Sequence, residues 1–345
     1  MSSHATTTMN KIIQVSIVTG FLGSGKTTLI SRILRSPELD RTAVIVNEFG
    51  EIGLDHDLIA TSDESLITLT TGCICCAIRG DLVETLLDLL RKREEGLALY
   101  DRVLIETSGL ADPAPVLHAL MTDAAVTTTH AIDSVVTVVD AVHGAGTLER
   151  HPEARRQVAI ADSLVLSKID LFTEIEQPQH VAAWCSRLEE LNPGAAITMA
   201  AAVTPDMLYT PADGPARALR LSRLPDQPAK SPFSQARHSD GIETFSIRRD
   251  RPVPALALTL LLQALAEHCG TRLLRVKGLI NIAEMPGKPA VIHGVQHVFS
   301  PPEFLDAWPS DDEDTRIVFI AKGVPRHFPA RLLDAIEAEV RDTVA

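Results

Sequence analysis

At 345 residues the chain exceeds the roughly 100 to 200 residues of an ordinary domain, so two units are expected. With 45% hydrophobic and 22% charged residues it can bury a core and does not resemble a disordered chain. A formal net charge of -13 opposes phosphate-backbone binding, which draws on clustered Lys and Arg, so nucleic acid is excluded as a partner. No apolar run reaches the roughly 20 residues needed to span a bilayer, and the polar start Met1 to Lys11 has no signal-peptide core, which makes the cytoplasm the expected compartment and removes the membrane as a partner.

In chain order, Ile12 to Thr19 is a short β-branched run, then a glycine-rich turn, then a helical pattern from Thr27 to Leu34. Strand-like runs recur at Thr42 to Val46, Leu66 to Leu69, Arg102 to Ile105, Val135 to Val139, Ser163 to Leu166 and Ala196 to Met199. Helical patterns fall between them at Leu82 to Arg93, Pro152 to Ala161 and Gln179 to Leu191. Such alternation predicts an α/β fold, a mostly parallel sheet with helices on both faces. Around Leu221 to Ser239 the pattern breaks into Pro, Ser, Gln and charged residues, the composition of a linker. Beyond it, expected strands at Ile242 to Ile247, Leu273 to Ile282, Ala290 to Phe299 and Arg316 to Ile320, with helices at Ala255 to His268 and Arg331 to Val340, make a smaller α+β domain. The expected boundaries are 1–220, a linker over 221–240, and 241–345.

Gly20-Phe-Leu-Gly-Ser-Gly-Lys-Thr27 fits the G-x-x-x-x-G-K-[ST] phosphate loop in its required place between strand and helix. Gly20, Gly23, Ser24, Gly25 and Thr28 frame a backbone that can curl N–H groups around phosphate oxygens. Lys26 is expected to reach the β and γ phosphates and Thr27 to ligate Mg²⁺. Ser167-Lys-Ile-Asp170 occupies the position of an [NST]-K-x-D guanine reader: Asp170 accepts from guanine donors that adenine lacks, and Lys168 packs its stem along the ring. A chance surface loop is the alternative. At the end of another strand, Glu106-Thr-Ser-Gly109 offers a carboxylate for Mg²⁺ or its water and a glycine able to approach the γ-phosphate; a helix-capping turn at Ser108 or Asp112 is the competing reading.

Three of the five cysteines, Cys73, Cys75 and Cys76, fall within four residues. Thiolates suit Zn²⁺ and related soft or borderline ions, and three of them leave a coordination position open. A redox dithiol or buried structural cysteines remain alternatives. Asn47-Glu-Phe-Gly-Glu51 stands where a nucleotide-responsive segment belongs, so Glu48 and Glu51 are candidates for activating water or touching a metal. His293 and His297 are read as ordinary residues of one strand.

Together these motifs resemble the CobW family of metallochaperone GTPases, and Leu273-Leu-Arg-Val-Lys-Gly278, Gly294-Val-Gln296 and Ile317-Val-Phe-Ile320 extend the likeness into the second domain. The resemblance implies weak GTP hydrolysis, a metal at the Cys-x-Cys-Cys motif, zinc first with Co²⁺ or another divalent transition metal as alternatives, and its transfer to a client metalloprotein. It leaves room for a cobalt or iron maturation factor, for a metal-buffering module with incidental hydrolysis, and for a second copy of the chain as partner. Two departures stand out: Val46 occupies a position where some relatives carry a carboxylate, and the histidine-rich tract of some members is absent.

Overall fold

The computed structural model describes residues 12–47, 66–69, 77–209 and 241–344. Glu48, Glu51, Cys73, Cys75, Cys76 and the expected linker lie outside those residues.

Seven strands form the first sheet, in the order β3-β2-β4-β1-β5-β6-β7: β1 Ile13–Thr19, β2 Thr42–Asn47, β3 Leu66–Leu69, β4 Arg102–Glu106, β5 His130–Asp140, β6 Ser163–Ser167 and β7 Ala196–Met199. Every pairing is parallel. The near-continuous apolar strands follow from burial on both faces, and the two-residue period of a strand divides them. Ile13, Val15, Ile17, Val103 and Ile105 enter one core cluster. Val18, Val44 and Leu104 face the opposite one. Helices α1 Lys26–Ile33, α2 Ala77–Glu94, α3 Ala114–Thr122, α4 Ala124–Thr127, α5 Gly144–Arg150, α6 Pro152–Ile160 and α7 Gln177–Leu191 connect the strands.

The second sheet is antiparallel: β8 Ile242–Arg249, β9 Leu273–Ile280, β10 Ala290–Val295, β11 Val298–Phe299, β12 Glu303–Phe304 and β13 Thr315–Lys322, ordered β11-β10-β9-β13-β8 with β12 beside β10. Its core gathers Phe245 and Phe319, stacked at 5.3 Å, with side chains of the helices α8 Ala255–Cys269 and α9 Phe328–Val344.

The expected single strand Ala290 to Phe299 is a hairpin. Val295 pairs with Val298, so Gln296 and His297 form a two-residue turn, with Gln296 at φ 55°. His297 therefore stands on a turn rather than on the strand face it was expected to share with His293.

The two sheets meet through Ala159 of α6 packed with Ile242, Leu274 and Ile320, and through Val295, which joins the core cluster that includes Leu117 and Leu120 of α3. A buried ion cluster fastens the same boundary: Asp162 pairs with both Arg275 and Lys277 and accepts the Val135 N–H at 2.9 Å. Burial would raise the Asp162 pKa, but the two cations outweigh it and hold the carboxyl well below its ordinary range. Among the described residues no helix is long and apolar enough to cross a membrane.

Candidate functional site

Parallel strands deliver all their C-terminal ends to one edge of a sheet, where ligands of such folds bind. The register fixes which residues share that edge here. Val18 and Val46 both pair with Glu106, and Asn47 pairs with Leu69. The phosphate loop after β1, Glu106 at the end of β4, the segment entered at Asn47 and the segment entered after Leu69 thus begin side by side.

In the loop itself Gly20, Gly23 and Gly25 take φ of 142°, 71° and 92°, conformations that favour glycine. At Gly20 the lack of a side chain is also steric, since a Cβ would stand 2.3 Å from the Val138 carbonyl oxygen. Gly25 is the N-cap of α1 and supplies no side-chain cap, so the first-turn N–H groups, with Thr27 and Thr28 among them, stay available to an anion. Ser24 Oγ is buried without a hydrogen-bond partner among the described residues. Buried Lys26 curls over the loop, its Nζ 2.9 Å from the Gly20 carbonyl.

Thr27 Oγ1 donates to Glu106 Oε1 at 2.8 Å, joining the phosphate loop to β4. Thr107 Oγ1 donates to Thr19 Oγ1 at 2.7 Å, a second link between the same two strand ends. Gly109 lies directly on the loop: a Cβ there would meet the Leu22 backbone N at 2.7 Å. Its carbonyl accepts from buried Gln157 of α6 at 3.2 Å, and the same amide group donates to Ala111 O at 3.0 Å.

On the other side of the loop, Ser167 Oγ donates to the Ser24 carbonyl at 2.6 Å. Lys168, at φ 59°, extends its ammonium to Asp140 Oδ2 at 2.8 Å. Asp140 also accepts the Val142 and His143 N–H groups. Burial opposes its ionisation, but Lys168 and these donors prevail and depress its pKa. Asp170 is exposed in the short 3-10 turn Ile169–Leu171. A cavity of about 240 Å³ between the loop, Asp140, His143 and Lys168 completes this side.

Lys26, Thr27, Glu106 and Gly109 are therefore brought together around the loop, with Lys168 and Asp170 on its flank. Asp140 and Gln157 were not singled out in the sequence. For Asp140 the available signal was an acid closing the apolar run Val135 to Val139; for Gln157 there was none, because its partners lie 46 and 48 residues away.

Residues 14–198 match the family model described as the CobW/HypB/UreG nucleotide-binding domain, and residues 242–337 match the cobalamin synthesis protein cobW C-terminal domain. The chain is 31% identical to the zinc chaperone YjiA of Escherichia coli K12 over 314 residues, covering 91% of this chain and 95% of that protein. It is 37% identical over 189 residues to the zinc chaperone CobW of Pseudomonas aeruginosa, a match spanning 46% of this chain and 49% of that one. The crystal structure of zinc-bound YjiA GTPase from E. coli superposes with a TM-score of 0.68 at 24% identity, covering 94% of this chain and 99% of its own. With both halves matched in order, a parallel sheet carrying the phosphate loop and an antiparallel domain behind it, this chain belongs to the CobW family of P-loop GTPases.

Proposed function

We propose that this protein is a GTP-hydrolysing metal chaperone that carries a divalent transition metal, zinc in the first place, on Cys73, Cys75 and Cys76 and hands it to a client metalloprotein under control of the GTP cycle. The observation that carries the reading is the sheet register. The cysteine segment is entered from Leu69 and the Glu48–Glu51 segment from Asn47, and these two residues are paired neighbours one strand away from Glu106. This register supports setting the metal and γ-phosphate ends of the site on one edge, and the relatives named zinc chaperones in E. coli and P. aeruginosa support zinc as the cargo.

In this reading Lys26 and the loop N–H groups hold the phosphates, and Asp170 selects guanine while Lys168 supports the base. The oxygen donors Thr27 and Glu106, 2.8 Å apart, are the ligand chemistry that Mg²⁺ prefers. When bound there, Mg²⁺ would neutralise charge building on the phosphates. Glu48 or Glu51 positions the attacking water. Intrinsic turnover is slow: Arg32 and Arg35 follow the loop, but neither is assigned to offset transition-state charge, a contribution of about 10³- to 10⁵-fold where a catalytic arginine is present.

The Cys75→Ser, Cys76→Ser double variant tests the metal assignment. It should lose the single tightly bound zinc while its GTP affinity, measured without zinc, stays within a factor of about two of the metal-free parent; full zinc affinity in that variant would place the cargo elsewhere. The parent's zinc affinity should also weaken as pH drops, since thiolates must shed protons to bind.

A further inference from the structure

Across the boundary between the domains, His118 Nε2 of α3 faces His297 Nε2 of the β10–β11 turn at 3.0 Å, with ring centroids 4.9 Å apart. We propose that these two imidazoles are a second transition-metal site, separate from the cysteines, in which one ion bridges the GTPase domain and the C-terminal domain.

Thr122 Oγ1 stands 3.4 Å from His118 Nδ1, an outer partner of the kind that orients metal-binding histidines. The two Nε2 atoms share a hydrogen bond, so a bound ion would take the place of the proton between them. The spacing fits as well. Bonds of about 2.0 to 2.1 Å to nitrogen separate two ligands by roughly 2.9 Å at a right angle and roughly 3.3 Å in a tetrahedron, and 3.0 Å lies between these values.

The elements that carry the two imidazoles are packed together. Val295, two residues before His297, is buried in the cluster containing Leu117 and Leu120, which flank His118 on α3. His297 is exposed and His118 half-buried, so an ion can enter from solvent. Among the described residues no group of three or more His, Cys, Asp and Glu gathers, so the two imidazoles are the protein ligands assigned to the ion. The site is open and weaker than three thiolates, and imidazole ligation suits Zn²⁺, Ni²⁺ and Cu²⁺. Because α3 follows the Glu106–Gly109 segment at the nucleotide edge, an ion here would tie the helix leaving that segment to the second domain.

The test uses the full chain with Cys73, Cys75 and Cys76 changed to Ser, which leaves this pair as it is and is indifferent to whether the cysteines carry cargo. Zn²⁺ is titrated against a weak chromogenic chelator, and Cu²⁺ is added in a parallel sample for electron paramagnetic resonance. One weak zinc per chain is expected, with nitrogen hyperfine structure from two imidazoles in the copper spectrum. His118→Ala and His297→Ala should each lower the zinc affinity at least tenfold, with no further loss in the double variant, and His118→Gln should act like His118→Ala. Circular dichroism establishes that each variant is folded. A chain that binds no zinc, or single variants that bind like their parent, or a loss from one histidine alone, would overturn the proposal.

Discussion

Replacing Asp162 by Ala should cause a large loss of stability at the domain boundary without disturbing the nucleotide site. Asp162 neutralises Arg275 and Lys277, whose side chains are 9% and 12% exposed against 16% for the carboxylate. Burial to this degree reduces the screening that makes surface pairs weak, although the three side chains line a cavity of about 810 Å³. Removing one member of a buried ion cluster leaves uncompensated charge and costs about 3 to 5 kcal/mol. Here it also strips the acceptor from the Val135 N–H. At about 2 to 4 °C per kcal/mol for units of this size, the melting temperature followed by circular dichroism should drop by about 6 to 20 °C. Asp162→Asn, which keeps an acceptor and the shape, should lose less. GTP affinity should hold within about twofold, since Asp162 precedes β6 and lies at the far end of that strand from Ser167. A drop of less than about 2 °C for Asp162→Ala would refute the view that this cluster fastens the domains.

Gly109→Ala should weaken GTP binding by at least tenfold in a fluorescent-nucleotide titration, because the new Cβ would stand 2.7 Å from the Leu22 backbone N and displace the phosphate loop, whereas Gly194→Ala, with its nearest neighbour at 3.8 Å, should be silent. Lys26→Ala should abolish nucleotide binding or turnover, and Asp170→Ala should erase a preference for GTP over ATP in competition assays. Burial, assisted by the Arg93 charge, pushes the His130 pKa down to about 4, so the folded state stays neutral while the unfolded chain takes up a proton below about 6.5. Stability should consequently fall with pH from about 6.5 toward 4, by about 2 kcal/mol already at pH 5, and denaturant titrations of His130→Gln should show a flatter acid limb.

Local signals were readable and distant ones were not. The phosphate loop and the guanine-reader motif each occupy a few contiguous residues between a strand and a helix, so their place in the α/β sheet followed from pattern alone. Helix α3 escaped notice because Pro113 and Pro115 sit at its start, where proline is tolerated although it reads as a breaker. The break between β10 and β11 was hidden because Gln296 and His297 carry no Gly, Pro, Asn or Asp cue; the left-handed backbone at Gln296 is imposed by the pairing of Val295 with Val298. That pairing, and the packing of Val295 on α3, carry His297 to His118, 179 positions away, a juxtaposition no local window contains. Asp140 holding Lys168 and Gln157 holding Gly109 depend on the same kind of long-range closure.

The central claim is that nucleotide state governs metal release, and linkage makes it measurable: if GTP and GDP hold the shared edge differently, zinc affinity must differ between them, and zinc must shift nucleotide affinity by the same factor. Zinc should be titrated against a chromogenic chelator in the presence of Mg²⁺ with either a non-hydrolysable GTP analogue or GDP. The account predicts tighter zinc binding with the GTP analogue, by about 5- to 150-fold, a coupling of roughly 1 to 3 kcal/mol, and loss of that difference in the Cys75→Ser, Cys76→Ser variant. Equal zinc dissociation constants in the two nucleotide states would contradict it, leaving a protein that binds both ligands without using one to release the other.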